Sequence, residues 1–187
     1  MIYPKKINAN NSERIIRIAI ILSIAIAIIL TVINKLTSPR VPWAALANSG
    51  IIYIWIVVAY SINKNVNIAG HVTIQTIAIS LLTVYIDYKL GFRGWSLSIA
   101  IPIIIMVANL TMLILTIVSY KKYLRYAIYQ LIILIFSILP AIFITEKIVT
   151  EPILGIIATG ISIVNLLITL ILSSRDLKEA IIRKFHL

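Results

Sequence analysis

The chain has 187 residues, of which 61% are hydrophobic and only 12% charged, with a formal net charge of +11. A soluble domain covers its core with roughly 25% charged residues, and a disordered chain is far less apolar, so both classes are excluded. The class that remains is a polytopic membrane protein, where positive charge reports topology before it argues for nucleic acid.

Six apolar stretches reach the roughly 20 residues that a spanning helix needs. They run over about Ile15–Asn34, Pro42–Ser61, Ala69–Tyr88, Trp95–Tyr120, Leu124–Thr145 and Pro152–Leu172. The polar breaks between them are too short to hold a domain. Barrel strands would alternate over about 10 residues, so these runs predict helices. The expected fold is all-α, an integral membrane six-helix bundle over 15–172 with a cytoplasmic leader at 1–14. The first stretch follows Lys5, Lys6, Arg14 and Arg17 as a signal peptide would, but it is too long for one and is taken as the first span.

Charge sets the expected orientation. Twelve Lys and Arg fall on the side of both termini and the even-numbered loops, against five (Lys35, Arg40, Lys89, Arg93, Lys147) on the other. The positive-inside bias then places both termini in the cytoplasm of a multi-pass cell-membrane protein. Trp43 and Trp95 at the outer helix ends, and Tyr120, Tyr123, Tyr126 and Tyr129 at an inner loop, suit the two headgroup belts. Isoleucine makes up about a quarter of the chain, which fits an AT-rich bacterial genome. Cysteine is absent, which removes disulfides, thiolate metal sites and cysteine nucleophiles.

Polar residues inside the spans are the candidate site. Thr73, Thr76, Ser80, Thr83 and Asp87 alternate in spacing by 3 and 4 and form one helical stripe. Ser98, Pro102, Asn109 and Thr116, spaced by 4, 7 and 7, share a stripe on the fourth span, and Gly155, Thr159, Ser162, Thr169 and Ser173, spaced by 4, 3, 7 and 4, on the sixth. These stripes must turn away from lipid. They are either packing seams of small residues or the lining of a polar cleft between the third, fourth and sixth helices. Asp87 is either an interfacial charge paired with Lys89 and Arg93 or a functional acid. Pro102 deprives its helix of one hydrogen bond and predicts a kink at Ser98. The expected ligand-binding residues are Asp87, Trp95, Pro102, Asn109, Ser98 and Thr83.

The last segment, 173–187, reads as a short amphipathic helix. Ser173 and Asp176 have capping-box spacing, and Leu177, Ile181 and Phe185 share a face. Arg175, Lys178, Arg183 and Lys184 suit the anionic headgroups of the cytoplasmic leaflet. A membrane protein partner or a homo-oligomer is the other expected contact, and nucleic acid is not expected. His71 and His186 lack a nearby carboxylate, so no metal or cofactor is expected. Ser-His-Asp geometry, HExxH and phosphate-binding loops are missing, which disfavours an enzyme.

Ile86-Asp87, Gly91-Phe92, Trp95-Ser96, Pro102, Asn109, the stretch Tyr123–Gln130 and the closing Arg183-Lys184-Phe185-His186 together resemble an uncharacterised bacterial six-helix membrane family. The resemblance covers the chain from about Ser12. That family is a domain of unknown function, so the resemblance implies the bundle and no activity. Its members often carry a cysteine-rich zinc ribbon before the first helix, which this chain lacks.

Three functions follow as expectations. The first is non-enzymatic binding of a lipid, small solute or membrane partner. The second is a small transporter or channel whose path is the polar seam of helices three, four and six. The third is a lipid-modifying membrane enzyme.

Overall fold

The computed structural model describes residues 9–62, 67–118, 123–145 and 152–185, with side chains at 13–62, 67–118, 126–139, 142 and 152–172. Six helices follow one another: α1 (Ala9–Thr37), α2 (Trp43–Ile62), α3 (Ile68–Lys89), α4 (Ile101–Val118), α5 (Tyr123–Thr145) and α6 (Ile153–Phe185). A π-helical turn over Ser96–Ala100 leads directly into α4. The fold is all-helical, and five segments are long and apolar enough to cross a membrane: Glu13–Thr37, Trp43–Ile62, Ile68–Lys89, Ser96–Val118 and Ile153–Leu172. In α5 the described apolar part is Tyr126–Leu139.

The chain divides into two compact units, one up to Ile54 and one from Trp55. In the first, Asn34 organises the connection from α1 to α2. Its Nδ2 donates to the carbonyls of Ser38 (2.7 Å) and Val41 (2.8 Å), and its Oδ1 accepts the Ala44 amide at 3.0 Å. One side-chain amide thus satisfies groups that the helix ends leave open. Asn48 ties the same helices farther along, donating to Thr31 Oγ1 at 3.0 Å.

The second unit is built around α3, α4, α5 and α6. Their buried residues recur with alternating spacings of 3 and 4, the pattern of a seam repeating every 3.5 residues. On α3 these are Ala69, Thr73, Thr76, Ser80 and Asp87, with Thr83 half-buried between the last two. Ser98, Pro102, Ile105, Asn109, Met112 and Thr116 form the series that enters α4. Tyr126, Gln130, Ile133 and Ser137 continue it on α5, and Gly155, Ala158, Ser162, Asn165 and Thr169 on α6. Meanwhile Leu81, Val107, Leu110 and Ile156 are exposed. A polar interior inside an isoleucine-rich shell is the arrangement lipid favours, because tails solvate the shell and seams are held by close packing and hydrogen bonds.

Short connections make successive helices antiparallel, so α4 and α6 run parallel. Asn109 and Ser162, which are hydrogen-bonded, lie 53 positions apart. The same offset relates Pro102 to Gly155, Ile105 to Ala158 and Thr116 to Thr169 along the two chains.

One expectation changes. No new helix begins at Ser173, because α6 runs unbroken to Phe185. Neither glycine nor proline interrupts it there, and extending an existing helix costs far less than nucleating one. The Ile101 amide reaches back five residues to the Ser96 carbonyl, and this widened turn sits just where the proline removes a donor and crowds the Ser98 carbonyl.

Candidate functional site

Two polar centres lie within the second unit. The first is at the connection from α3 to α4. Helix α3 ends in a Schellman turn: the Phe92 amide donates to the Asp87 carbonyl (2.8 Å) and the Gly91 amide to the Tyr88 carbonyl (3.3 Å). Gly91 supplies the left-handed residue at φ 97°. Phe92 follows at φ 47°, a conformation that costs a non-glycine residue about 1 kcal/mol.

The Asp87 carboxylate holds this turn in place. Oδ1 accepts the Arg93 amide at 2.9 Å, while Oδ2 accepts the Ser96 amide at 3.2 Å and the Ser96 hydroxyl at 2.8 Å. Asp87 is fully buried. It meets Arg93 through the main chain, and the Lys89 ammonium lies over the Tyr85 and Tyr88 rings, 5.5 and 5.7 Å from their centroids. Of the two readings of Asp87, the ion pair with Lys89 and Arg93 is not formed among the described residues, and main-chain amides cap the carboxylate. A compact turn presents amides, whereas the long cationic side chains gain more by reaching toward the surface.

Trp95 and Ser98 belong to the same end. Trp95 is half-buried just ahead of the π-helical turn, and the Ser98 hydroxyl donates to the Gly94 carbonyl at 2.7 Å. Thr83 turns its hydroxyl onto the Ser80 carbonyl at 2.8 Å. Pro102 is buried one turn into the α4 series.

The second centre is in the middle of the bundle. The Asn109 Nδ2 donates to the Ile105 carbonyl (3.0 Å) and to Ser162 Oγ (2.7 Å). The Asn165 Nδ2 donates to the main-chain carbonyl (3.0 Å) and Oδ1 (3.2 Å) of Asn109. Ser162 passes its own proton to the Ala158 carbonyl at 2.9 Å. Asn165 Oδ1 is buried without a partner among the described residues.

This amide pair forms the floor of a furrow of about 440 Å³ between α4 and α6. Its walls are Met106, Leu110 and Leu113 on one side and Ile161, Val164 and Ile168 on the other. Small-molecule sites occupy about 300–1,000 Å³ and combine apolar walls with a few fixed polar groups. No α3 residue lines this furrow. The α3 stripe lies in the bundle interior instead.

A further buried layer holds Thr116 and Gln130, joined by a 3.2 Å bond from Gln130 Nε2 to Thr116 Oγ1. Gln130 Oε1 and Thr169 Oγ1 have no partner among the described residues. In a separate contact at one end of α3, Tyr60 stacks edge-on against His71, with centroids 4.9 Å apart.

The structure thus gathers Asp87, Trp95 and Ser98 at one end and places Asn109 in a different centre. Sequence reasoning did not place Ser96, whose two donors complete the Asp87 cap, or Asn165 among the site residues. Asn165 lies 3 residues after Ser162 and 4 before Thr169, so the seam spacing itself carried the signal. Lys5, Lys6, Lys64, Lys121, Lys122, Glu146, Lys147, Glu151 and His186 lie outside the described residues, as do the side chains of Arg175, Lys178, Arg183 and Lys184.

No curated protein and no solved structure matches the chain. A family of unknown function does match, over residues 3–187, and with nearly every residue included the chain belongs to that family, DUF6320.

Proposed function

We propose that this protein is a binding component of the membrane that takes an amphiphile from the bilayer into the furrow between α4 and α6. One observation carries the reading. Two mutually hydrogen-bonded amides, Asn109 and Asn165, sit at the base of a furrow whose walls are otherwise apolar. Apolar walls suit a molecule already dissolved in lipid, and the amides give it one point of orientation. Asp87, Trp95, Ser98 and Thr83 serve in this reading as the frame that fixes the start of α4, and Pro102 sets its register. Both termini face the cytoplasm of a bacterial cell in the same proposal, with the basic end of α6 against the anionic leaflet.

The test uses the full chain in lipid nanodiscs with a photoreactive dodecyl probe, followed by mapping of the labelled residues. Labelling should concentrate on Leu113 and Val164, and Leu110→Trp should reduce it to the level seen at the lipid-facing Leu81. Even labelling of Leu81, Ile156 and the furrow would sink the proposal.

A conduit through the bundle is a second reading, and Ser80 Oγ, Gln130 Oε1 and Thr169 Oγ1, buried and unpaired among the described residues, favour it. It requires solute flux across proteoliposomes that Thr116→Leu abolishes while the furrow labelling persists.

A further inference from the structure

Resting on the furrow as the binding site, we infer that its ligand is uncharged, has an apolar body, and carries a hydrogen-bond donor (a hydroxyl or an N–H) at its polar end. The inference comes from a count of donors and acceptors on the furrow floor. Each side-chain amide has two N–H donors. Those of Asn109 go to the Ile105 carbonyl and Ser162 Oγ, and those of Asn165 go to the carbonyl and Oδ1 of Asn109. The Ser162 proton is committed to the Ala158 carbonyl. Among the described residues, no donor on the floor is left over. One acceptor is: Asn165 Oδ1.

The orientation of both amides is fixed by their partners. The main-chain carbonyls of Ile105 and Asn109 can only accept, so the groups facing them must be the NH₂ ends. Turning Asn165 over would set its oxygen against the Asn109 carbonyl. The free group is therefore an acceptor, and a ligand must supply the proton.

The walls exclude the other head chemistries. They offer neither cation nor carboxylate, so a charged head would be buried without a counter-ion at large cost. An ether, ester or ketone would find no donor and would leave Asn165 Oδ1 unpaired. Asn165 Oδ1 is itself closed to solvent, so the lining parts to admit the donor. Met106, unbranched and with three rotatable bonds, is the wall residue best suited to yield.

Three photoreactive dodecyl probes, ending in a hydroxyl, a methyl ether or a carboxylate, decide the matter on the full chain in nanodiscs. The alcohol should label Leu113 and Val164 roughly three- to tenfold more than the ether, the worth of one hydrogen bond, and the carboxylate least. Asn165→Leu should bring the alcohol down to the ether. Equal labelling by alcohol and ether in the unmodified chain, or preference for the carboxylate, overturns the donor-headed class and leaves the furrow reading standing. That comparison needs no variant to fold. Furrow labelling no higher than Leu81 with all three probes overturns the furrow itself. Protection of the furrow only in discs that hold two copies assigns it to a second copy and overturns the proposal.

Discussion

Ser96 gives both its main-chain amide and its hydroxyl to a single carboxylate oxygen of Asp87, at 3.2 and 2.8 Å. One side chain at the end of α3 therefore acts as the cap for the helical segment that follows.

Asp87→Asn keeps an oxygen for Ser96 but turns an NH₂ toward the Arg93 amide, donor against donor. It should cost about 1–2 kcal/mol of stability, and Asp87→Ala about 3 kcal/mol, since both of its oxygens are lost while the donors stay buried. Thermal unfolding in nanodiscs measures both. An Asn variant as stable as the parent would show that the cap is not holding the turn.

Asn34 performs the matching task between α1 and α2. Asn34→Leu should free the Ala44 amide, which Oδ1 now accepts at 3.0 Å. Loss of about 1.4 kcal/mol of local stability corresponds to tenfold faster amide exchange there. Exchange mass spectrometry of the 38–46 segment reads this directly, and an unchanged rate would contradict it.

Gly70 gives room to two phenols. A methyl group at this position would meet the Tyr60 hydroxyl at 2.5 Å and the Tyr129 hydroxyl at 3.2 Å. Gly70→Ala should therefore destabilise by about 1–3 kcal/mol through overpacking. Adding Tyr60→Phe removes the nearest atom and should restore most of the loss. If the double variant melts no higher than Gly70→Ala alone, the contact is not the cause.

The Asn109–Ser162 bond should register in a double-mutant cycle. Asn109→Ala and Ser162→Ala should couple by about 0.6–1.7 kcal/mol, the range for hydrogen bonds between membrane helices. Additive losses would place the value of Asn109 in its contact with Ile105.

The helices and their inward faces were legible in the sequence because both rest on periodicity. Thr73, Thr76, Ser80 and Asp87 are spaced as a seam and lie buried as one. Asp87 was harder to read. Cations two and six positions away suggest ion pairs, yet partners are decided by the backbone path, which here folds amides onto the carboxylate. Pro102 shows the same limit. The lost donor is visible in the sequence, but the remedy, an extra residue accommodated in the turn before it, is a property of the packed helix. The furrow depends on which residues of α4 face which of α6, and nothing in either stretch alone sets that register.

The cap that joins Asp87 to Ser96 also constrains movement. Helices α3 and α4 are riveted at one end, so they cannot slide past each other or part there without breaking the two hydrogen bonds from Ser96 to Asp87. Any widening between them must be a scissor-like splay, greatest at the opposite ends near Gly70 and Thr116. Large rings that close on small residues there, Tyr60 and Tyr129 over Gly70, would then work as the latch of a hinge whose pin is Asp87.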